Sequence, residues 1–169
     1  MHSVPFVSQR DYAFAGVACG VAATMMLLKY HFRRTRVPSY RELRKALGVD
    51  APSSDLRRRD VVMGVGTEQV TKYFRQCGMS YRATHSNTPA TMTALRRRLR
   101  RAPLMAGMGK HERRWGKSGH WIVLIDIDAD YVTYLDPQFP RSHRRPSRMP
   151  LRDFRRQWDG VSIQLVHPR

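Results

Sequence analysis

The sequence predicts an α+β fold, with N-terminal helices packed on an antiparallel sheet. Three observations carry this expectation. Helical patterns with starts and stops fill most of the first hundred residues. The strongest strand pattern, His120–Ile127, comes only after them. A three-residue turn, Asp128-Ala129-Asp130, then joins that strand to Tyr131–Asp136, and so close a turn makes the pair antiparallel. At 169 residues, 41% hydrophobic and 9% aromatic, the chain fits one domain over residues 1–169 with a sizeable core.

The elements follow in order. Val4–Gln9 reads as a short extended opening, and Arg10–Gly16 as a loop. After Gly20 the run to Tyr30 is apolar or small except for Thr24 and Lys29, the mark of a central helix rather than a surface one. Ser39 and Glu42 form a capping box for a second helix with Tyr40, Leu43 and Leu47 on its inner face and Gly48 as its stop. Ala51–Asp60 is expected as a polar loop. Thr67 is expected to cap a third helix with Val70, Tyr73, Phe74 and Cys77 inward, closed by Gly78. Met79–Thr84 reads as a strand, and Thr91 as the start of a fourth helix. Pro103–Met108 reads as a buried strand, Gly109–Gly119 and Pro140–Pro150 as loops, Leu151–Trp158 as a short helix and Val161–Val166 as a final strand.

Charge is the most extreme property. There are 31 basic against 13 acidic residues, a net +18. Arginine runs occur at 57–59, 96–101 and 144–145. Such a surface attracts an acidic protein, nucleic acid or an anionic membrane surface. Arginines scattered through every segment also fit a purely compositional bias, and no nucleic-acid-binding motif accompanies them. No apolar run approaches the roughly 18 residues of a transmembrane helix. Met1-His2-Ser3-Val4-Pro5-Phe6 lacks a signal-peptide pattern, so the expected location is cytoplasmic, or exported without a recognisable signal. The two cysteines form no framework, and no potential ligands sit at metal-binding spacing. Neither metal nor other cofactor is expected.

Cys19 opens the apolar helix, where the helix dipole and unpaired N–H groups favour a thiolate. Alone, it would equally serve as a small core residue. The hairpin supplies possible partners. Pairing Ile127 with Tyr131 sets Ile122 opposite Asp136 and His120 opposite Gln138. His120 and Asp136 then share a face as diagonal neighbours, roughly 7–8 Å apart at Cα. A thiol nucleophile needs a base, a group that orients the base, and oxyanion donors. Cys19, His120 and Asp136 supply the first three in chain order, and Gln9 offers a side-chain amide for the fourth.

These residues carry a family resemblance that spans Val4 to about Val166. Val4-Pro5-Phe6-Val7-Ser8-Gln9, Ala18-Cys19-Gly20-Val21-Ala22-Ala23, Gly66–Met79, Gly119-His120-Trp121-Ile122-Val123-Leu124 and Leu135-Asp136-Pro137 resemble the motifs of the papain-like C39 cysteine peptidases. The resemblance implies a papain-like fold, a catalytic Cys19, His120 and Asp136, and an oxyanion-binding Gln9. It also implies cleavage of a peptide or isopeptide bond in a protein or peptide substrate through a thioester. Deamidation of protein glutamine on the same scaffold, or a basic binding module without catalysis, stays open as an alternative. The chain departs from the motif at Val21, where the family has proline, and at Ala18, where it has aspartate or glycine.

Overall fold

Helix α1 (Cys19–His31) buries ten consecutive residues, Cys19 to Leu28. In the computed structural model, which describes residues 1–11, 18–32, 37–49, 65–85, 88–109, 119–140, 142 and 145–166, α1 lies against the middle strands of a sheet on one side and helix α2 (Tyr40–Ala46) on another. The buried hydroxyl of Thr24 is satisfied, since its Oγ1 donates to the Gly20 carbonyl at 2.7 Å. The loop expected over 51–60 lies outside the described residues, as do most of the loops expected over 10–16 and 109–119.

The capping box of α2 forms as expected. Ser39 Oγ accepts from the Glu42 N–H at 3.3 Å, and Glu42 Oε2 accepts from the Ser39 N–H at 2.7 Å. Helix α3 (Thr67–Gln76) starts one residue earlier than a Thr67 cap requires. Gly66 is the cap, and its N–H donates to Gln69 Oε1 at 2.8 Å. At the other end, Cys77 is exposed rather than inward. The helix stops at Gln76, and Gly78 turns the chain at φ 66°. The Met79 N–H then reaches back to the Phe74 carbonyl at 2.8 Å, a Schellman closure. Met79, not Cys77, packs on the core.

Among the described residues, six strands form one antiparallel sheet in the order β1-β6-β2-β3-β4-β5. They are β1 (Ser80–His85), β2 (Leu104–Met108), β3 (His120–Ile127), β4 (Tyr131–Leu135), β5 (Ser147–Pro150) and β6 (Trp158–Val166), with helices α4 (Pro89–Leu99) and α5 (Leu151–Gln157) between them. Strands and helices therefore interleave after α3. Helix α4 begins at Pro89 rather than Thr91, because Thr88 caps it through the Thr91 N–H at 3.2 Å. Proline at the first helical position gives up no hydrogen bond. Strand β5 lies inside the expected 140–150 loop and β6 starts three residues before the expected Val161. An edge position tolerates the terminal Pro150 of β5. The sheet separates two cores. One gathers α1, α2 and α3 with Val123, Ile125 and Ile163, and the other gathers Met92, Leu95 and Leu99 of α4 with Ile122, Leu124 and Phe154. Among the described residues no helix is long and apolar enough to cross a membrane.

Gly20 fixes how α1 meets the sheet. A Cβ there would lie 2.6 Å from Val65 Cβ and 3.2 Å from Trp121 Cδ1, while Trp121 Nε1 donates to the Val65 carbonyl at 2.6 Å. The helix start is wedged between them. Gly20→Ala is expected to lower the unfolding free energy by about 1–3 kcal/mol through overpacking, measurable by urea denaturation against the parent chain.

Candidate active site

The hairpin of β3 and β4 reaches the expected register by an unexpected route. At the tip Ile127 pairs with Val132, not Tyr131, a slip of one residue. A bulge between Leu124 and Asp126 absorbs the slip, so Leu124 pairs with Tyr134 and Val123 with Leu135. A one-residue slip carried to the strand end would have put His120 and Asp136 on opposite faces. The Ile125 carbonyl at the bulge accepts the His2 N–H at 3.0 Å. The N-terminal segment is anchored there and runs on to Gln9.

His120 and Asp136 meet as a buried pair, 7% and 2% exposed. His120 Nε2 donates to Asp136 Oδ1 at 2.7 Å. The same oxygen accepts the Gln138 N–H at 2.8 Å, which holds the carboxylate in place. Cys19 hydrogen-bonds the imidazole as well. Burial pushes the His120 pKa down, but hydrogen bonds with Asp136 and Cys19 and the charges of both outweigh it, raising the pKa from 6.5 to about 9. Cys19 is the first residue of α1, and Ala18 caps the helix without a side-chain hydrogen bond.

Gln9 is buried in a single 3-10 turn, Gln9–Asp11, that packs on α1. Its N–H donates to the Pro137 carbonyl at 2.8 Å. Ser8, which the sequence did not single out, makes the second tie. Its Oγ donates to the Phe139 carbonyl at 2.6 Å and accepts the Arg10 N–H at 3.1 Å. The structure thus brings all four expected residues to one place: Cys19, His120 and Asp136 in a line, and Gln9 tied to the turn after Asp136. A thiol, an imidazole and a carboxylate in that order can generate a nucleophile, shuttle its proton and hold the tautomer. Among the described residues, no cluster of potential metal ligands occurs. A cavity of about 660 Å³ between α1 and α2 contains none of these groups.

The Peptidase_C39 like family matches residues 1–166. The chain belongs to this family. No curated protein matches it. Three solved structures are similar in fold to this C39-like chain. A double glycine motif protease from an AMS/PCAT transporter, in complex with the leader peptide, is 17% identical at a TM-score of 0.65, covering 97% of this chain and 91% of its own. The peptidase domain of Streptococcus ComA, from a bi-functional ABC transporter of a quorum-sensing pathway, is 16% identical at 0.64, covering 99% and 100%. A C39-like peptidase from Bacillus anthracis is 14% identical at 0.68, covering 98% and 96%. The C39-like chain is thus a cysteine peptidase-like enzyme of papain-like fold. Its departure at Val21 is structurally mild. Val21 is the third helical residue and fully buried, a position whose N–H has no intrahelical partner and where proline and valine both fit.

The raised His120 pKa has a defined sign. Because the folded value lies above 6.5, the stabilisation from protonated His120 is complete below about pH 6.5 and is lost as pH rises through about 9. An NMR titration of the His120 ring is expected to show a midpoint near pH 9, and Asp136→Asn is expected to lower it. An unchanged midpoint in Asp136→Asn would remove the carboxylate as the cause.

Proposed function

We propose that this chain hydrolyses a peptide or isopeptide bond through a Cys19–His120–Asp136 triad. The observation that carries the proposal is the buried hydrogen-bonded line from Cys19 through His120 to Asp136. Cys19 Sγ attacks the carbonyl carbon, and the resulting oxyanion takes hydrogen bonds from the Gln9 side-chain amide and the Cys19 N–H. His120 protonates the leaving amine as the C–N bond breaks, leaving a thioester. His120 then takes a proton from water, the hydroxide adds to the thioester, and the acid departs as Cys19 recovers its proton. Asp136 holds the imidazole throughout. A peptide substrate agrees with the relative solved with its leader peptide.

Thiol labelling tests the pair directly. By exposure alone, Cys77 should outreact buried Cys19. The proposal instead expects iodoacetamide near neutral pH to label Cys19 first, and His120→Ala to abolish that preference. Equal or slower labelling of Cys19 would overturn it and favour a binding module that merely keeps the fold. With a cleavable peptide in hand, Gln9→Ala is expected to lower kcat by about 10²–10³-fold, the effect of one oxyanion donor, with KM nearly unchanged. Intact mass then separates two chemistries. A cut chain supports hydrolysis of the backbone or an isopeptide, and a conversion of amide to acid without a cut reassigns the site to deamidation.

A further inference from the structure

Strand β1 ends the sheet, and among the described residues its one strand neighbour is β6. Alternate residues of such an edge turn their N–H and C=O groups outward, ready to pair with another extended chain. The side chains are sorted by face. Tyr81 and Ala83 sit opposite Leu165 and Ile163 over the first core. Arg82 and Thr84 project from the other face, opposite Gln164 and Ser162.

On that second face, Gln164 Nε2 donates to the carbonyls of Arg98 and Ala102 at 2.9 and 2.7 Å. This brings the end of α4 beside Arg82. Burial first, and then repulsion from Arg82 and Arg97, lower the pKa of the Arg98 guanidinium. Arg98 Nη1 is buried and has no hydrogen-bond partner. Among the described residues, no carboxylate pairs with Arg82, Arg97 or Arg98. Among the described residues, these three crowded cations have no counter-charge, and the strand edge beside them has no second strand neighbour.

We propose that the β1 edge with Arg82, Arg97 and Arg98 is a docking surface for an extended acidic polypeptide segment. The strand edge supplies main-chain hydrogen bonds and the arginines recognise carboxylates, which are planar acceptors matched to the guanidinium fork. Both features select the same occupant. A second copy of this chain would bring arginine against arginine along the edge. Nucleic acid would meet the charge but has no backbone amide to pair with β1. Two strands, β6 and β2, separate β1 from β3, so the surface lies about 14 Å from the strand of His120 at ordinary strand spacing. The surface stands independently of the chemistry at Cys19.

Fluorescence anisotropy tests it with three probes: a short labelled peptide alternating Glu and Val, the same peptide N-methylated on alternate residues, and a single-stranded oligothymidylate of equal charge. The expected result is that the first peptide binds at physiological ionic strength. N-methylation and the double change R82E/R98E are each expected to weaken it at least about tenfold, the loss of one charge-assisted hydrogen bond. Should R82E/R98E fail to fold by circular dichroism, Arg82→Gln at the exposed strand position serves instead, with the same direction expected. Equal binding of the N-methylated peptide, tighter binding of the oligonucleotide, insensitivity to the arginine changes, or no peptide binding would each overturn the proposal.

Discussion

The packing of α1 into the middle of the molecule is the constraint on which the rest depends. Met26, Leu27 and Leu28 are almost wholly removed from water, and burying each such side chain contributes about 1.5–3 kcal/mol. A typical hydrogen bond contributes about 0.5–1.5 kcal/mol net. The position of Cys19 is therefore set by hydrophobic packing over the length of the helix, not by polar contacts around the thiol. Gly20 refines it. Where Val65 and Trp121 close over the helix start, only a residue without a side chain lets the first turn settle at the sheet.

The polar groups fit inside this frame under a different rule. A buried imidazole and carboxylate lose hydration, and that loss offsets much of their attraction. Their 2.7 Å bond is thus a poor explanation for the stability of the fold. It is a good explanation for a proton held on His120 beside a thiol, because burial acting alone would have driven the proton off. The two backbone ties from Ser8 and Gln9 to the turn after Asp136 join the N-terminal segment to the same rigid unit.

Much of this was legible in the sequence, for reasons that can be named residue by residue. The apolar run of α1, the Ser39–Glu42 box and the apolar run through His120–Ile127 are strong local signals, and each element stands where it was expected. The errors fall where a local pattern meets a tertiary decision. Cys77 extends the apolar stripe of α3 by one step, but Gly78 turns the chain and Met79 takes the core position. Thr91 reads as the start of its helix, yet Thr88 caps that helix and Pro89 opens it. Strand β5 carries proline and arginine and reads as loop, since only its pairing with β4 makes it a strand. Ser8 has a role that depends on Phe139, 131 residues away in the chain, and no local pattern announces that.

The bulge between Leu124 and Asp126 keeps the tip of the hairpin from dictating its mouth. A strict hairpin transmits any change of length at its tip down the whole ladder, so each gained or lost residue would reverse the faces at its mouth. Here the tip and the mouth already run one residue out of phase, and the distortion is confined to Ile125, whose carbonyl the His2 N–H occupies. The turn at Asp128–Asp130 is thereby insulated from the placement of His120 and Asp136. A one-residue offset at the tip of this hairpin thus coexists with the geometry of its mouth.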